Sequence, residues 1–237
     1  MSGERAARAA DFARQIVETC KPFAASPPES WEVLDVGCGY GHTAAELAKV
    51  CRSVTGIEPS EPLAREAIRL AADIPNLTIR QASVYDLEPK PLYDLIVLDN
   101  VFEHLPDQPG ALAILSGCLR PQGVLYLLMP NKLWPMEVHY HLPFLSYLPL
   151  SWANRYLRWT GRGTDYTDAS YAPTYWRLRR LLRERPELRF QFVLPANLAW
   201  TTAGAKWHYR LGVAALKRFP SLWAISKAFL VVAVKHG

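Results

Sequence analysis

Val33-Leu34-Asp35-Val36-Gly37-Cys38-Gly39-Tyr40-Gly41-His42-Thr43 carries an apolar run straight into three glycines spaced by single residues. A strand entering such a loop constrains the whole chain. Glycines lack a Cβ, allow a tight turn in unusual dihedrals, and leave amide N–H groups facing a ligand just before a helix begins. A second apolar run, Val54-Thr55-Gly56-Ile57-Glu58, ends in an acid seventeen positions after Gly41. A carboxylate at that strand end suits the two hydroxyls of a ribose, so the pair of segments points to a nucleoside site rather than a generic turn.

The glycine spacing departs from the G-x-G-x-x-G of dinucleotide enzymes, and no Gly-Lys-Thr phosphate cradle occurs, which disfavours NAD and ATP. Apolar runs predict strands at 32–36, 53–57, 77–81, 93–98, 123–129, 188–194 and 229–235. Helical periodicity falls at 5–21, 42–51, 61–72, 108–118 and 174–184. In the first helix Ala6, Ala9, Phe12, Ala13, Ile16, Val17 and Cys20 share one side. The alternation of strand and helix demands a parallel sheet with right-handed crossovers.

Two further motifs complete the pattern. Tyr93-Asp94-Leu95-Ile96-Val97-Leu98-Asp99-Asn100-Val101-Phe102-Glu103-His104 is a buried strand ending in polar groups, and Leu119-Arg120-Pro121-Gln122-Gly123-Val124-Leu125-Tyr126-Leu127-Leu128-Met129-Pro130-Asn131 is a turn followed by another strand. With four motifs in family order, roughly residues 30–131 resemble the class I S-adenosylmethionine-dependent methyltransferases, particularly the group that includes the ubiquinone-biosynthesis O-methyltransferases.

The resemblance implies an α/β, Rossmann-like, doubly wound seven-stranded sheet, mostly parallel, with an antiparallel last strand and a helical lid. It implies S-adenosylmethionine as cofactor and S-adenosylhomocysteine as product. Asp35 and the amides around Gly37, Gly39 and Gly41 would approach the methionine part, and Glu58 the ribose hydroxyls. Ser83 stands where the family often has an acid for the adenine amino group, with Val84 beside it, and Asn100 sits where relatives contact the methionine end. The expected activity is O-methylation of a small-molecule, natural-product or lipid-linked acceptor. The alternatives are N- or C-methylation, a nucleic-acid methyltransferase, or a non-catalytic cofactor-binding interaction protein.

The chain of 237 residues, half of them hydrophobic, has room for one such domain and no second, so 1–237 is expected to be a single methyltransferase domain. The four cysteines form no C-x-x-C pair, which suits a reducing compartment, and no run approaches a membrane span, so a cytoplasmic protein is expected. Charge is split: residues 1–130 hold 11 Lys+Arg against 17 Asp+Glu (−6), and residues 131–237 hold 16 against 5 (+11). The basic half also carries seven of the eight tryptophans, a combination suited to an anionic or interfacial partner and hence to peripheral membrane contact. Nucleic acid is not expected, because no Asn-Pro-Pro-Tyr-like motif or RNA-binding module occurs. The oligomeric state is not readable.

Residues 131–173 and 196–226 exceed what the sheet requires, and long insertions in compact domains are usually functional. They read as lid insertions over the acceptor, or as a satellite core packed on the sheet. His139 and His141 would point the same way if Glu137 to His141 were extended. These two and His104 are the candidate catalytic bases, with hydrogen-bonding or structural roles as the alternative. Glu137, His139 and His141 have the composition of a metal site, yet the hard magnesium of catechol methyltransferases prefers oxygen ligands, and no metal is expected.

Overall fold

The computed structural model describes residues 2–196 and 207–236. Its strands are β1 (Glu32–Val36), β2 (Ser53–Glu58), β3 (Leu77–Gln81), β4 (Tyr93–Asp99), β5 (Leu119–Pro130), β6 (Leu188–Phe192) and β7 (Ala228–Lys235). The helices are α1 (Ser2–Cys20), α2 (His42–Ala48), α3 (Glu61–Ala71), α4 (Gln108–Cys118), α5 (Leu150–Thr160), α6 (Tyr175–Arg183) and α7 (Trp207–Arg218). The sheet order is β3-β2-β1-β4-β5-β7-β6. β1 to β5 pair in parallel, and β7 lies antiparallel to both β5 and β6.

Period-two alternation in the central strands builds two cores. Leu34, Val36, Ile96, Leu98, Leu125 and Leu127 face one side, where α4 and α6 add Leu112, Leu115, Leu178 and Leu182. Val33, Leu95, Val97, Val124 and Tyr126 face the other, against Ile16 and Val17 of α1 and Ala44 and Leu47 of α2. Each fully buried Leu, Ile or Val contributes about 1.5–3 kcal/mol from leaving water, which fixes the register of the strands and with it the level at which they end. Phe12 departs from the expected inner face of α1 and is exposed. It lines a cleft of about 230 Å³ with Cys38, Tyr40 and His42 of the glycine loop and the start of α2.

Sequential order reverses between β1 and β4, so the crevice of a doubly wound sheet opens beyond the carboxyl ends of these two strands. The 131–173 segment stands at that end. Lys132 N–H donates to the Pro173 carbonyl (3.2 Å), and the Gln108 side-chain amide donates to the Tyr171 carbonyl (2.8 Å). The segment encloses a small core of Leu142, Leu145, Ala153, Leu157, Tyr166 and Ala169. In the second insertion, residues 197–206 lie outside the described residues, and α7 begins at Trp207.

Candidate functional site

All three loop glycines adopt left-handed backbone, with φ of +68° at Gly37, +55° at Gly39 and +77° at Gly41. Their surroundings separate their roles. A Cβ on Gly37 would lie 2.6 Å from Val101 Cγ2, and one on Gly41 would lie 3.1 Å from the Ala67 Cβ, so both are held by close packing. A Cβ on Gly39 would meet no described atom within 4 Å, so Gly39 borders open space. The loop is pinned from below by the Ile57 carbonyl, which accepts from the Gly37 and Cys38 amides at 2.8 and 3.0 Å.

Glu58, buried at the end of β2, accepts from the Gly39 N–H (3.0 Å) and the Ser60 N–H (2.9 Å), one on each oxygen. Asp35 at the end of β1 is buried, and its Oδ2 has no hydrogen-bond partner among the described residues. Burial, reinforced by Asp99 and Glu58, pushes its carboxyl up to about 7. Asp99 ends the adjacent β4; burial raises it to about 6 against the opposing effect of a 2.7 Å hydrogen bond from the Asn100 side chain. Three strand-end acids thus gather under one open glycine loop. That field, together with an orphaned carboxylate oxygen, fits a ligand carrying a sulfonium and an ammonium next to a ribose.

Asn100 itself has φ of +54°, a left-handed conformation at the strand end. Ser83 and Val84 follow β3. The Ser83 hydroxyl accepts weakly from the Tyr85 N–H (3.4 Å) while the Asp86 carboxylate accepts from the Ser83 N–H (2.8 Å), so both side chains cap a short turn in which Val84 is buried. Asp86 is therefore a turn residue.

A second polar cluster lies beside the first. Glu103, in the turn Phe102–His104 after β4, is fully buried, and neither carboxylate oxygen has a hydrogen-bond partner among the described residues. Burial pushes it up to about 7. His104 and His139 stack edge to face with centroids 5.2 Å apart, and the Nε2 of each lies 3.9 Å from Glu103 Oε1. Buried Glu137 holds His139 in place: Oε1 takes Nδ1 at 2.7 Å, and Oε2 accepts from the His139 and Tyr140 amides at 2.8 and 2.6 Å. Its hydrogen bond to His139 raises the imidazole above its ordinary value.

The expected pairing of His139 with His141 is not what the structure shows. Residues 138–140 form a turn, with the Glu137 N–H donating to the Leu142 carbonyl (3.0 Å) and Met136 bridging Pro143. The chain is not extended there, so the two rings do not share a face. Both residues are exposed, but the His139 ring reaches Glu103 and His104, whereas His141, with φ of +53°, stands outside the cluster. Asp99 and Glu103 are site residues that the motifs alone do not single out. The signal for Asp99 was its place at a strand end, the same signal that marked Asp35 and Glu58.

A seven-stranded sheet of this order, with a glycine loop between β1 and α2 and an acid ending β2, defines the class I methyltransferase architecture. A family model described as a methyltransferase domain matches residues 5–210, and the chain belongs to that family. It is similar to the ubiquinone biosynthesis O-methyltransferase of Rhodopseudomonas palustris (strain BisB5), 28% identical over 60% of this chain and 53% of the relative. It is also similar to the trans-aconitate 2-methyltransferase of Deinococcus radiodurans, 33% identical over 53% of this chain and 45% of the relative. The chain spans about half the length of the curated relatives it matches. The plantazolicin methyltransferase BpumL, solved in complex with a monoazolic desmethylPZN analog and SAH, shares the fold with TM-score 0.63 and 17% identity, covering 99% of this chain and 87% of its own.

Proposed function

We propose that this protein is an S-adenosylmethionine-dependent O-methyltransferase acting on a hydroxyl of a small-molecule or lipid-linked acceptor. The observation that carries the reading is the convergence of Asp35, Glu58 and Asp99 beneath the open side of Gly39, with the Glu103–His104–His139 cluster next to it. S-adenosylmethionine, when bound, supplies a methyl group activated on a sulfonium whose leaving thioether is neutral. Asp35 and Asp99 would face the cationic methionine end, with Gly37, Gly41 and Asn100 shaping the loop and strand end around it. Glu58 would hold the ribose, and Ser83 and Val84 would border the adenine.

The chain's own task is to align the acceptor and draw off its proton, for which a positioned group contributes about 10²–10⁴-fold. His104 and His139 are the groups assigned to making the acceptor hydroxyl easier to deprotonate, and His141 drops out of it. The 131–173 segment would act as the lid that excludes water, since its residues supply both His139 and the Asp168 contact to His104. An apolar cavity of about 510 Å³, lined by Leu128, Trp134, Leu194, Val213, Trp223 and Leu230, supports an acceptor with a substantial apolar part. The test is methyl transfer from labelled S-adenosylmethionine to fractionated phenolic, catecholic and carboxylic compounds. Labelled ethers support the reading; label only on nitrogen, carbon or carboxylate contradicts it.

Peripheral membrane contact is favoured by a separate observation. Leu142, Leu145 and Leu157 are buried in the segment's own core, but Trp152 and Trp159 of α5 are 65% and 83% exposed, with Phe144, Leu148 and Leu150 also exposed. Residues 138–164 contain Arg155, Arg158 and Arg162 and no acid. Exposed aromatic rings with arginines in the same segment suit an anionic bilayer surface. No helix among the described residues is long and apolar enough to cross a membrane.

A further inference from the structure

Glu103, His104 and His139 bring three potential ligand atoms within 4.8 Å of one another. Among the described residues each imidazole is held through one nitrogen. His139 Nδ1 is held by Glu137 at 2.7 Å. His104 Nδ1 faces the Asp168 carbonyl at 3.1 Å and the Asp168 carboxylate at 3.2 Å. In the neutral ring an acceptor at Nδ1 places the proton there and leaves a lone pair on Nε2, and each Nε2 faces Glu103 Oε1.

With both rings neutral and Glu103 ionised, that arrangement brings three electron-pair donors together. At 3.9 Å, neither Nε2 is within the about 2.7–3.2 Å of a hydrogen bond to Glu103. The three donor atoms lie within 4.8 Å of one another, and Glu103 is buried with both oxygens unpartnered among the described residues. Bonds of roughly 2.0–2.2 Å on either side of an ion span close to the observed separation. A carboxylate or carbonyl on the far nitrogen of each histidine is also the usual outer support of a metal-bound imidazole.

We propose that Glu103, His104 and His139 bind a divalent transition metal ion of the Zn²⁺ or Mn²⁺ type. Two imidazole nitrogens and one carboxylate suit such ions better than magnesium or calcium, which prefer oxygen donors. This set differs from the Glu137, His139 and His141 combination suggested by the sequence, because Glu137 is committed to His139 Nδ1 and two amides. Three protein donors leave positions for a further ligand. Resting on the O-methyltransferase reading, that ligand is the acceptor hydroxyl, whose pKa the ion lowers. The proton leaves to solvent, the oxygen–methyl bond forms as the sulfur–methyl bond breaks, and the electron pair of the broken bond remains on sulfur.

The test is calorimetric titration of the chelator-stripped full chain with Zn²⁺ and with Mn²⁺, backed by metal analysis after gel filtration. Wild type is expected to retain one equivalent. Glu103→Gln and His139→Ala should each weaken binding at least about 10-fold, and Glu137→Gln about 10–100-fold through the lost outer support. His141→Ala should bind like wild type, and cofactor titration of each variant shows that the fold persists. Absence of stoichiometric Zn²⁺ or Mn²⁺ on wild type, or equal affinity in Glu103→Gln, would overturn the proposal. The titration contains neither methyl donor nor acceptor, so failure of the functional reading leaves its result standing, and its failure leaves cofactor binding standing.

Discussion

The Gly39 amide donates to Glu58 Oε2 at 3.0 Å, tying the middle of the glycine loop to the end of the neighbouring strand. The second Glu58 oxygen accepts from Ser60, so the carboxylate is oriented by the backbone on both sides while its remaining lone pairs stay available. A loop that needs Gly39 for its backbone and Glu58 for its anchor has little tolerance at either position.

The three glycines are expected to fail differently. Gly37→Ala drives a Cβ against Val101 and Gly41→Ala drives one against Ala67, both at left-handed φ, so each should lower stability by about 1–3 kcal/mol. Gly39→Ala carries the backbone strain without the clash and should cost less, about 1 kcal/mol. Denaturant unfolding of the three variants checks the order. Equal losses at all three positions would contradict the packing described here.

Asp35 sets an unusual pH dependence. Its folded pKa is raised to about 7 from an ordinary value of 3.8, so burying the ionised form costs stability. The group's favourable contribution is full below the unfolded pKa and is lost as pH rises through about 7. Melting of the cofactor-free protein should therefore shift upward between pH 8 and pH 5. Asp35→Asn should reduce this dependence, leaving the part due to Asp99 and Glu103, and raise the melting temperature at pH 8 by roughly 2–8 °C, equivalent to about 1–2 kcal/mol. A variant less stable than wild type at pH 8 would show that the carboxylate is held by interactions stronger than its burial cost.

His139→Ala is expected to lower turnover by about 10²–10⁴-fold while leaving S-adenosylmethionine affinity near wild type. His141→Ala should change neither, since its ring stands outside the cluster. Single-turnover methyl transfer and cofactor titration separate the two effects. The assignment fails if His141→Ala is the more damaged enzyme.

Much of this architecture was legible in the sequence because it is local. Apolar runs ending in Asp35, Glu58 and Asp99 mark the strands, and glycine spacing marks the loop. β5 extends back to Leu119, beyond the 123–129 run, because Leu119 pairs with Tyr93 across a register shift. The histidines were not legible in the same way. Whether His139 and His141 share a face depends on a hairpin closed by Met136 and Pro143 and on Glu137 accepting amides, neither of which leaves a periodic signature. His104 and His139 meet only because the segment after β5 folds back over the end of β4. Phe12 obeyed helical periodicity yet stayed exposed, lining the cleft beside Tyr40 while its neighbours Ala9 and Ala13 are buried.

Trp152→Ala/Trp159→Ala should weaken co-sedimentation with anionic vesicles by about 10-fold or more, with little change in stability because both rings are exposed. Binding should fall with added salt, as the arginine contribution is screened. Wild type that fails to sediment with anionic vesicles at low salt would leave these aromatics without a membrane role.

The most direct test of the account is calorimetric titration of S-adenosylmethionine and S-adenosylhomocysteine into wild type, Glu58→Ala and Gly39→Val. Wild type should bind both at one site in the low-micromolar range typical of cofactor sites. Glu58→Ala should lose about 1–3 kcal/mol, as expected when a buried charged acceptor and its hydrogen bonds are removed. Gly39→Val should not bind, because its side chain enters the open space beside the loop. No binding by wild type, or undiminished binding by Gly39→Val, would contradict the assignment of this loop as the cofactor site.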